Sequence, residues 1–144
     1  MNKAPELPKL PGAYALLIQL PAPLQLPIAR LGRPTLAPGP YVYCGSAYGP
    51  GGLAARVGRH LRRGKSIRWH VDHLTERGEV LDVLCVPDGS ECELVRRLGR
   101  MAGVGTPLAG VGTPLAGFGS SDCQQCASHL LSVPVDFDLA VQMK

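Results

Sequence analysis

Pro40-Tyr41-Val42-Tyr43-Cys44-Gly45-Ser46-Ala47, followed after a glycine-rich turn by Leu53-Ala54-Ala55-Arg56-Val57-Gly58-Arg59-His60-Leu61-Arg62-Arg63, is the most informative stretch of this chain. Tyr41 to Cys44 reads as a short strand ended by Gly45. Gly49 to Gly52 reads as the turn. Leu53 to Arg63 then reads as a helix, because Leu53, Val57 and Leu61 recur at i, i+4 and i+8 and form one apolar stripe. Gly64 is its expected end. From Arg56 to Arg68 the chain carries Arg56, Arg59, Arg62, Arg63, Lys65 and Arg68, together with His60, and no acid.

Toward the N-terminus, Tyr14 to Leu20 is apolar and reads as a buried strand. Residues 1–10, with Pro5 and Pro8, read as an extended lead-in. Six prolines between Pro21 and Pro40 exclude a long helix there, since each removes a donor and clashes with the preceding turn. A loose hairpin connection is expected instead. Toward the C-terminus, a second helix is expected over Ile67 to Arg77 and a strand over Val80 to Val86. A third helix is expected over Glu91 to Met101, with Ser90 as N-cap and Glu93 at N3. Ala102 to Leu108 repeats as Ala109 to Leu115, and the repeat reads as a duplicated Gly/Pro loop within 102–117. A last strand is expected over Leu130 to Val135. These elements make a mixed α/β domain over residues 11–135 with a tail at 136–144. They do not alternate as in a doubly wound fold.

The 144 residues suit one domain. A content of 45% hydrophobic and 18% charged residues excludes a disordered chain. The 18 glycines and 14 prolines are nearly twice the average share and demand many turns. No apolar run reaches the roughly 18 residues of a membrane span. Residues 1–6 lack a signal peptide's apolar core, so a cytoplasmic protein without a membrane partner is expected. Five cysteines, an odd number, then point to thiol or metal chemistry rather than a disulfide scaffold.

The basic run is the densest chemical signal. Arg56, Arg59 or His60, and Arg63 fall on one helical face, and such a face suits a phosphate backbone as well as it suits bulk water. Arg59, Arg62, Arg63, Lys65 and Arg68 are the candidate nucleic-acid contacts. Glu91 and Glu93 open the third helix, where a carboxylate favours the helix dipole or ligates Mg²⁺. Two residues apart, they point in different directions. Cys123, Cys126 and His129 form a C-x2-C-x2-H half-site for Zn²⁺, with Cys92, His70 or His73 as the fourth ligand. Reduced thiols and a Cys92–Cys123 pair are the competing readings. Trp69 is expected to pack on the sheet.

The order Gly12-Ala13-Tyr14, Tyr43-Cys44-Gly45-Ser46-Ala47, Arg56 with His60, then Glu91 resembles the GIY-YIG nuclease superfamily. Further motifs resemble one small subfamily, the domain of unknown function 123, also found fused to base-excision repair glycosylases. They are Trp69-His70-Val71-Asp72-His73, Glu91-Cys92-Glu93-Leu94, and Gly117-Phe118-Gly119-Ser120-Ser121-Asp122-Cys123 with His129-Leu130. The resemblance implies a three-stranded antiparallel sheet flanked by helices. It also implies a DNA endonuclease using one Mg²⁺ or Mn²⁺, with a role and a protein partner in repair. By position, Tyr43 matches the tyrosine that activates water, Tyr14 its neighbour, Arg56 the arginine at the scissile phosphate, and His60 its partner one turn on. Glu91 matches the metal-binding glutamate, with Glu93 as the alternative. The superfamily's downstream asparagine has no counterpart, since Asn2 is the one Asn of the chain. Asp122 and Ser120 are the candidates for its place. The alternative function is a catalytically silent nucleic-acid-binding or adaptor module with a Cys/His tail.

Overall fold

The two apolar runs form the centre of the sheet. In the computed structural model, which describes residues 7–29, 32–101, 103–105, 108–109, 113–114 and 129–139, β1 (Gly12–Leu20) and β4 (Gly39–Ala47) pair antiparallel along nine residues each, from Gly12↔Ala47 to Leu20↔Gly39. Both faces of these strands are covered, which is why their sequences run continuously apolar instead of alternating. β5 (Glu79–Pro87) pairs antiparallel with the other edge of β1. β2 (Leu24–Gln25) and β3 (Thr35–Leu36) make a small antiparallel ribbon inside the proline-rich connection, in keeping with the expected loose hairpin.

The main sheet has four strands, where three were expected. The fourth is β8 (Leu130–Ser132), which pairs with β4 through Tyr41↔Ser132, Val42↔Leu131 and Tyr43↔Leu130 and gives the order β5-β1-β4-β8. Without it, the outer edge of β4 would present unpaired N–H and C=O groups beside the tyrosines. A second ribbon forms at the junction of the repeated heptads and within the second copy, where β6 (Leu108–Ala109) pairs with β7 (Thr113–Pro114). Of the rest of the repeat, residues 103–105 are described, and Gly105 bridges to Ser132; the others lie outside the described residues.

Helices α1 (Gly52–Leu61) and α2 (His70–Arg77) cover one face of the sheet, burying Tyr14, Leu16, Ile18, Tyr41 and Tyr43 against Leu53, Val57, Val71 and Leu74. Helix α3 (Glu91–Gly99) covers the other, where Ala13, Ala15, Leu17, Val42 and Cys44 meet Leu94 and Leu98. Among the described residues, no helix is long and apolar enough to cross a membrane.

Helix ends fall where distant groups cap them. The first-turn N–H groups of Leu53 and Ala54 donate to the carbonyls of Leu10 and Pro8, so the N-terminal lead-in caps α1. The helix stops at Leu61, before the expected Gly64, and Lys65 Nζ donates to the carbonyls of His60 and Arg62. Helix α2 begins at His70 rather than Ile67. The Asp72 carboxylate accepts the backbone N–H groups of Arg68 and Trp69, which holds them ahead of the first turn. Ser90 caps α3 as expected, with Oγ accepting the Glu93 N–H at 3.4 Å.

Asp72 is the polar anchor between α1 and α2. Its side chain is 0% exposed and accepts both Arg59 guanidinium nitrogens, at 2.8 and 2.9 Å. Burial alone would raise its pKa. The Arg59 hydrogen bonds and the two backbone N–H groups outweigh burial and hold it down at about 2. Removing one member of a buried pair strands the other, so Asp72→Ala is expected to lower the unfolding free energy by about 3–5 kcal/mol. Urea unfolding at neutral pH measures this, and a loss below about 1 kcal/mol, the worth of an exposed pair, would contradict the anchoring role.

Candidate active site

Tyr14 and Tyr43 stand on the α1/α2 face of neighbouring strands. Tyr14 lies opposite Gly45 in the β1–β4 register, and Tyr43 lies opposite Leu16. Their ring centroids are 6.4 Å apart, and the imidazole of His60 lies 5.3 Å from the first ring and 6.1 Å from the second. The sequence brings three rings together because Gly45 has no Cβ. One built there would strike the Tyr14 hydroxyl and lie 2.5 Å from its Cζ. Gly45→Ala is therefore expected to push Tyr14 off its position and cost about 1–3 kcal/mol of stability. Thermal unfolding tests this, and an unchanged Tm would show that the ring has room to move.

The Tyr14 hydroxyl is 2.6 Å from His60 Nε2. Arg56 also acts on this hydroxyl and, being able only to donate, leaves the phenolic proton to point at the imidazole. His60 is thus a neutral acceptor. Burial pushes its pKa down to about 3; Asp72 opposes this, while Arg56, Arg59 and Lys65 reinforce it. His60 is 2% exposed, and its Nδ1 has no hydrogen-bond partner. Burial raises both phenols well above the ordinary tyrosine range, with the Glu91 charge adding to the rise and Arg56 opposing it. Glu91, at the start of α3, therefore acts electrostatically on both tyrosines from a separate element.

Trp69 packs beside His60 with ring centroids 5.9 Å apart, and the guanidinium carbons of Arg56 and Arg59 lie 4.4 and 4.2 Å from its centre. This stacking fixes Arg56 at the mouth of a cleft of about 150 Å³ between Ala47, the Gly49-Pro50 turn, Ala55 and Arg59. The adjoining helix N-terminus is not a ready anion cradle. The N–H groups of Gly52 to Ala55 already donate to Gly49, Leu10, Pro8 and Gly51 carbonyls. An anion entering the cleft meets guanidinium groups instead, which bind phosphate oxygens with a planar fork.

The basic run is divided by the structure. Arg59 is committed to Asp72. Lys65 pairs with Glu76 at 3.0 Å, and Arg63 donates to the carbonyls of Glu76 and Gly78. Arg62 and Arg68 are exposed, with no hydrogen bond or ion pair from their side chains among the described residues. The acids that occupy the run come from α2, thirteen and eleven residues further on, where no local spacing could reveal them.

Glu91 and Glu93 part as their spacing requires. Glu93 is exposed and borders a small cleft with Arg97. Glu91 is 28% exposed, and its Oε2 is 3.7 Å from Nδ1 of His129. Cys92 is buried on α3, on the opposite side of the sheet from His70 and His73 of α2. Cys123, Cys126, Ser120 and Asp122 lie outside the described residues. Among the described residues, no three His, Cys, Asp or Glu side chains converge as a metal cluster. Sequence reasoning placed His129 in a zinc half-site and in the His129-Leu130 motif, and missed its contact with Glu91. The Trp-His-x-Asp-His motif contained Trp69 and Asp72 but gave no sign that they would hold two arginines.

The family profile described as Domain of unknown function DUF123 matches residues 13–143. No curated protein and no solved structure matches the chain. Every element of the main sheet and all three helices fall almost wholly inside that match, and the protein belongs to the DUF123 family.

Proposed function

We propose that this protein is a divalent-cation-dependent endonuclease of GIY-YIG type that hydrolyses DNA phosphodiester bonds. The reading rests on one observation: Tyr14, Tyr43, Arg56, His60 and Glu91, from four separate elements, act on one another at one end of the sheet. The motif order of the sequence, with its GIY-YIG resemblance, supports the same assignment.

In this mechanism, water attacks phosphorus, the ester P–O bond breaks, and the leaving oxygen takes a proton. Arg56 meets the phosphate in its cleft and stabilises the charge that builds on the phosphorus centre. Tyr14, its proton held toward His60, presents an oxygen lone pair to accept a hydrogen bond from the attacking water. Tyr43 stands beside it as the second phenol. Neither phenol is ionised at neutral pH, so both work as neutral relays that hand the water's proton on to solvent, while His60, held neutral by burial, orients the Tyr14 hydroxyl by accepting its hydrogen bond. Glu91 is the carboxylate that would hold a divalent cation, which when bound supplies Lewis-acid stabilisation and lowers the pKa of water. The partly exposed carboxylate and the unpaired imidazole of His129 beside it fit such an ion. Arg62 and Arg68 supply the exposed charge for the nucleic-acid backbone.

Labelled duplex, nicked, flap, branched and single-stranded DNAs, incubated with Mg²⁺ or Mn²⁺, test the reading. Cutting that disappears with Glu91→Gln supports it. Salt-sensitive binding without cutting in either ion would overturn it in favour of a silent binding module, the reading favoured by the absent asparagine.

A further inference from the structure

His129 precedes β8 and lies against Cys44, whose N–H donates to its carbonyl at 2.9 Å. This places an imidazole, 2% exposed, at the start of α3. Neither of its ring nitrogens has a hydrogen-bond partner. Buried polar groups are nearly always paired, and an exception calls for an explanation such as an ion. Among the described residues, Glu91 is the charged group in ion-pair range of it, with Oε2 3.7 Å from Nδ1. That is too long for a hydrogen bond. It is within the reach of two ligands of one cation: donors about 2.1 Å from a common octahedral ion lie about 3.0 Å apart when adjacent and about 4.2 Å apart when opposite, so a side-chain shift of well under about 1 Å brings the pair onto one ion. Glu91 is 28% exposed, so solvent reaches the site and water or a substrate oxygen can complete the shell.

We propose that Glu91 and His129 together form the cation site of this protein, and that the imidazole makes it a site for Mn²⁺-like transition ions in preference to Mg²⁺. A carboxylate alone suits Mg²⁺, which prefers oxygen and keeps its waters. A nitrogen donor beside the oxygen favours divalent ions of the first transition row over Mg²⁺, and Mn²⁺, the weakest-bound of that row, is the one nearest to Mg²⁺ in its liking for carboxylate and water. His129 thereby gains a role independent of the Cys123/Cys126 half-site. The inference rests on Glu91 being the cation's carboxylate in the proposed function, but not on any cleavage taking place.

The test is direct cation binding to the chelator-treated full chain, read from the electron paramagnetic resonance signal of free Mn²⁺, with Mg²⁺ as competitor. One Mn²⁺ per chain is expected, held at least about 10-fold more tightly than Mg²⁺. His129→Asn and His129→Ala, checked for folding by circular dichroism, are expected to weaken Mn²⁺ by about 10-fold or more and to leave Mg²⁺ little changed. The double variant Cys123→Ser/Cys126→Ser is expected to bind Mn²⁺ as the unaltered protein does. Equal affinity of the unaltered protein for the two ions overturns the proposal, whatever the variants do. So does unchanged Mn²⁺ binding in a folded His129 variant, or its loss in the double cysteine variant. Selective Mn²⁺ binding by a protein that cuts no DNA would uphold the site and overturn the nuclease reading instead.

Discussion

In the proposed nuclease, Glu91→Gln is expected to lower DNA cleavage by about a thousandfold, while Glu93→Gln leaves it within about twofold. The two residues are both glutamates of the first turn of α3, so dipole effects and overall charge change equally in the two variants. Their surroundings differ. Glu91 acts on both site tyrosines and faces His129, whereas Glu93 is exposed and lines a separate small cleft. Replacing a first-turn acid costs only about 0.3–1 kcal/mol of stability, so loss of folded protein would not account for a thousandfold effect. In the proposed nuclease, Arg56→Ala should cost about 10²–10³ for a different reason, because it removes the donor that would meet the phosphate charge. Initial rates on the preferred DNA, at matched Tm, measure both. Equal activity of the Glu91 and Glu93 variants would remove Glu91 from the site.

Stability is expected to fall by up to about 5 kcal/mol between pH 6.5 and pH 3, through His60 alone. The folded protein holds this imidazole neutral, with a pKa pushed to about 3 by burial. The unfolded chain releases it to its ordinary value near 6.5. Above pH 6.5 both states are neutral and the full stability is present. As the pH falls below 6.5, the unfolded state binds a proton that the folded state refuses, and the gap widens until pH 3. Asp72 works lower, since its folded pKa of about 2 lies under the ordinary carboxylate value, and its contribution is lost only as pH falls toward that value. A domain with the usual 5–15 kcal/mol should therefore begin to unfold in mild acid. Urea midpoints at pH 7, 5 and 4 measure the effect. His60→Phe keeps a ring among Tyr14, Tyr43 and Trp69 and should flatten the profile between pH 6.5 and 4. Parallel profiles for the two proteins would show that another group carries the dependence.

Much of the fold was legible along the chain. Residues 14–20 and 41–44 stood out as strands because their continuous apolar character reports burial on both faces. Leu53, Val57 and Leu61 marked α1 because helical period reports one buried stripe. Ser90 marked the start of α3 because its cap is local. The end of α1 and the start of α2 were misread, because Lys65 Nζ takes the His60 and Arg62 carbonyls where the helix was expected to run on, and the Asp72 carboxylate holds the Arg68 and Trp69 N–H groups ahead of the first turn; the end of α2 at Arg77 was read as found. The last strand was read from the sequence at Leu130, though it ends at Ser132 rather than Val135; its place beside β4, which makes the sheet four-stranded, is set by backbone hydrogen bonds that no side-chain pattern encodes.

The site divides in the same way. The sequence by itself determined which residue types were present, their order, and that Glu91 and Glu93 would face different ways, because rotation per residue in a helix is a local property. Only the tertiary structure decided that Arg59 and Lys65 would be taken by Asp72 and Glu76, leaving Arg62 and Arg68 exposed. It alone set His60 against Tyr14 and His129 against Glu91. Charge pairing and ligand spacing depend on distances between elements, and those are set by how helices dock on the sheet, which local periodicity does not record.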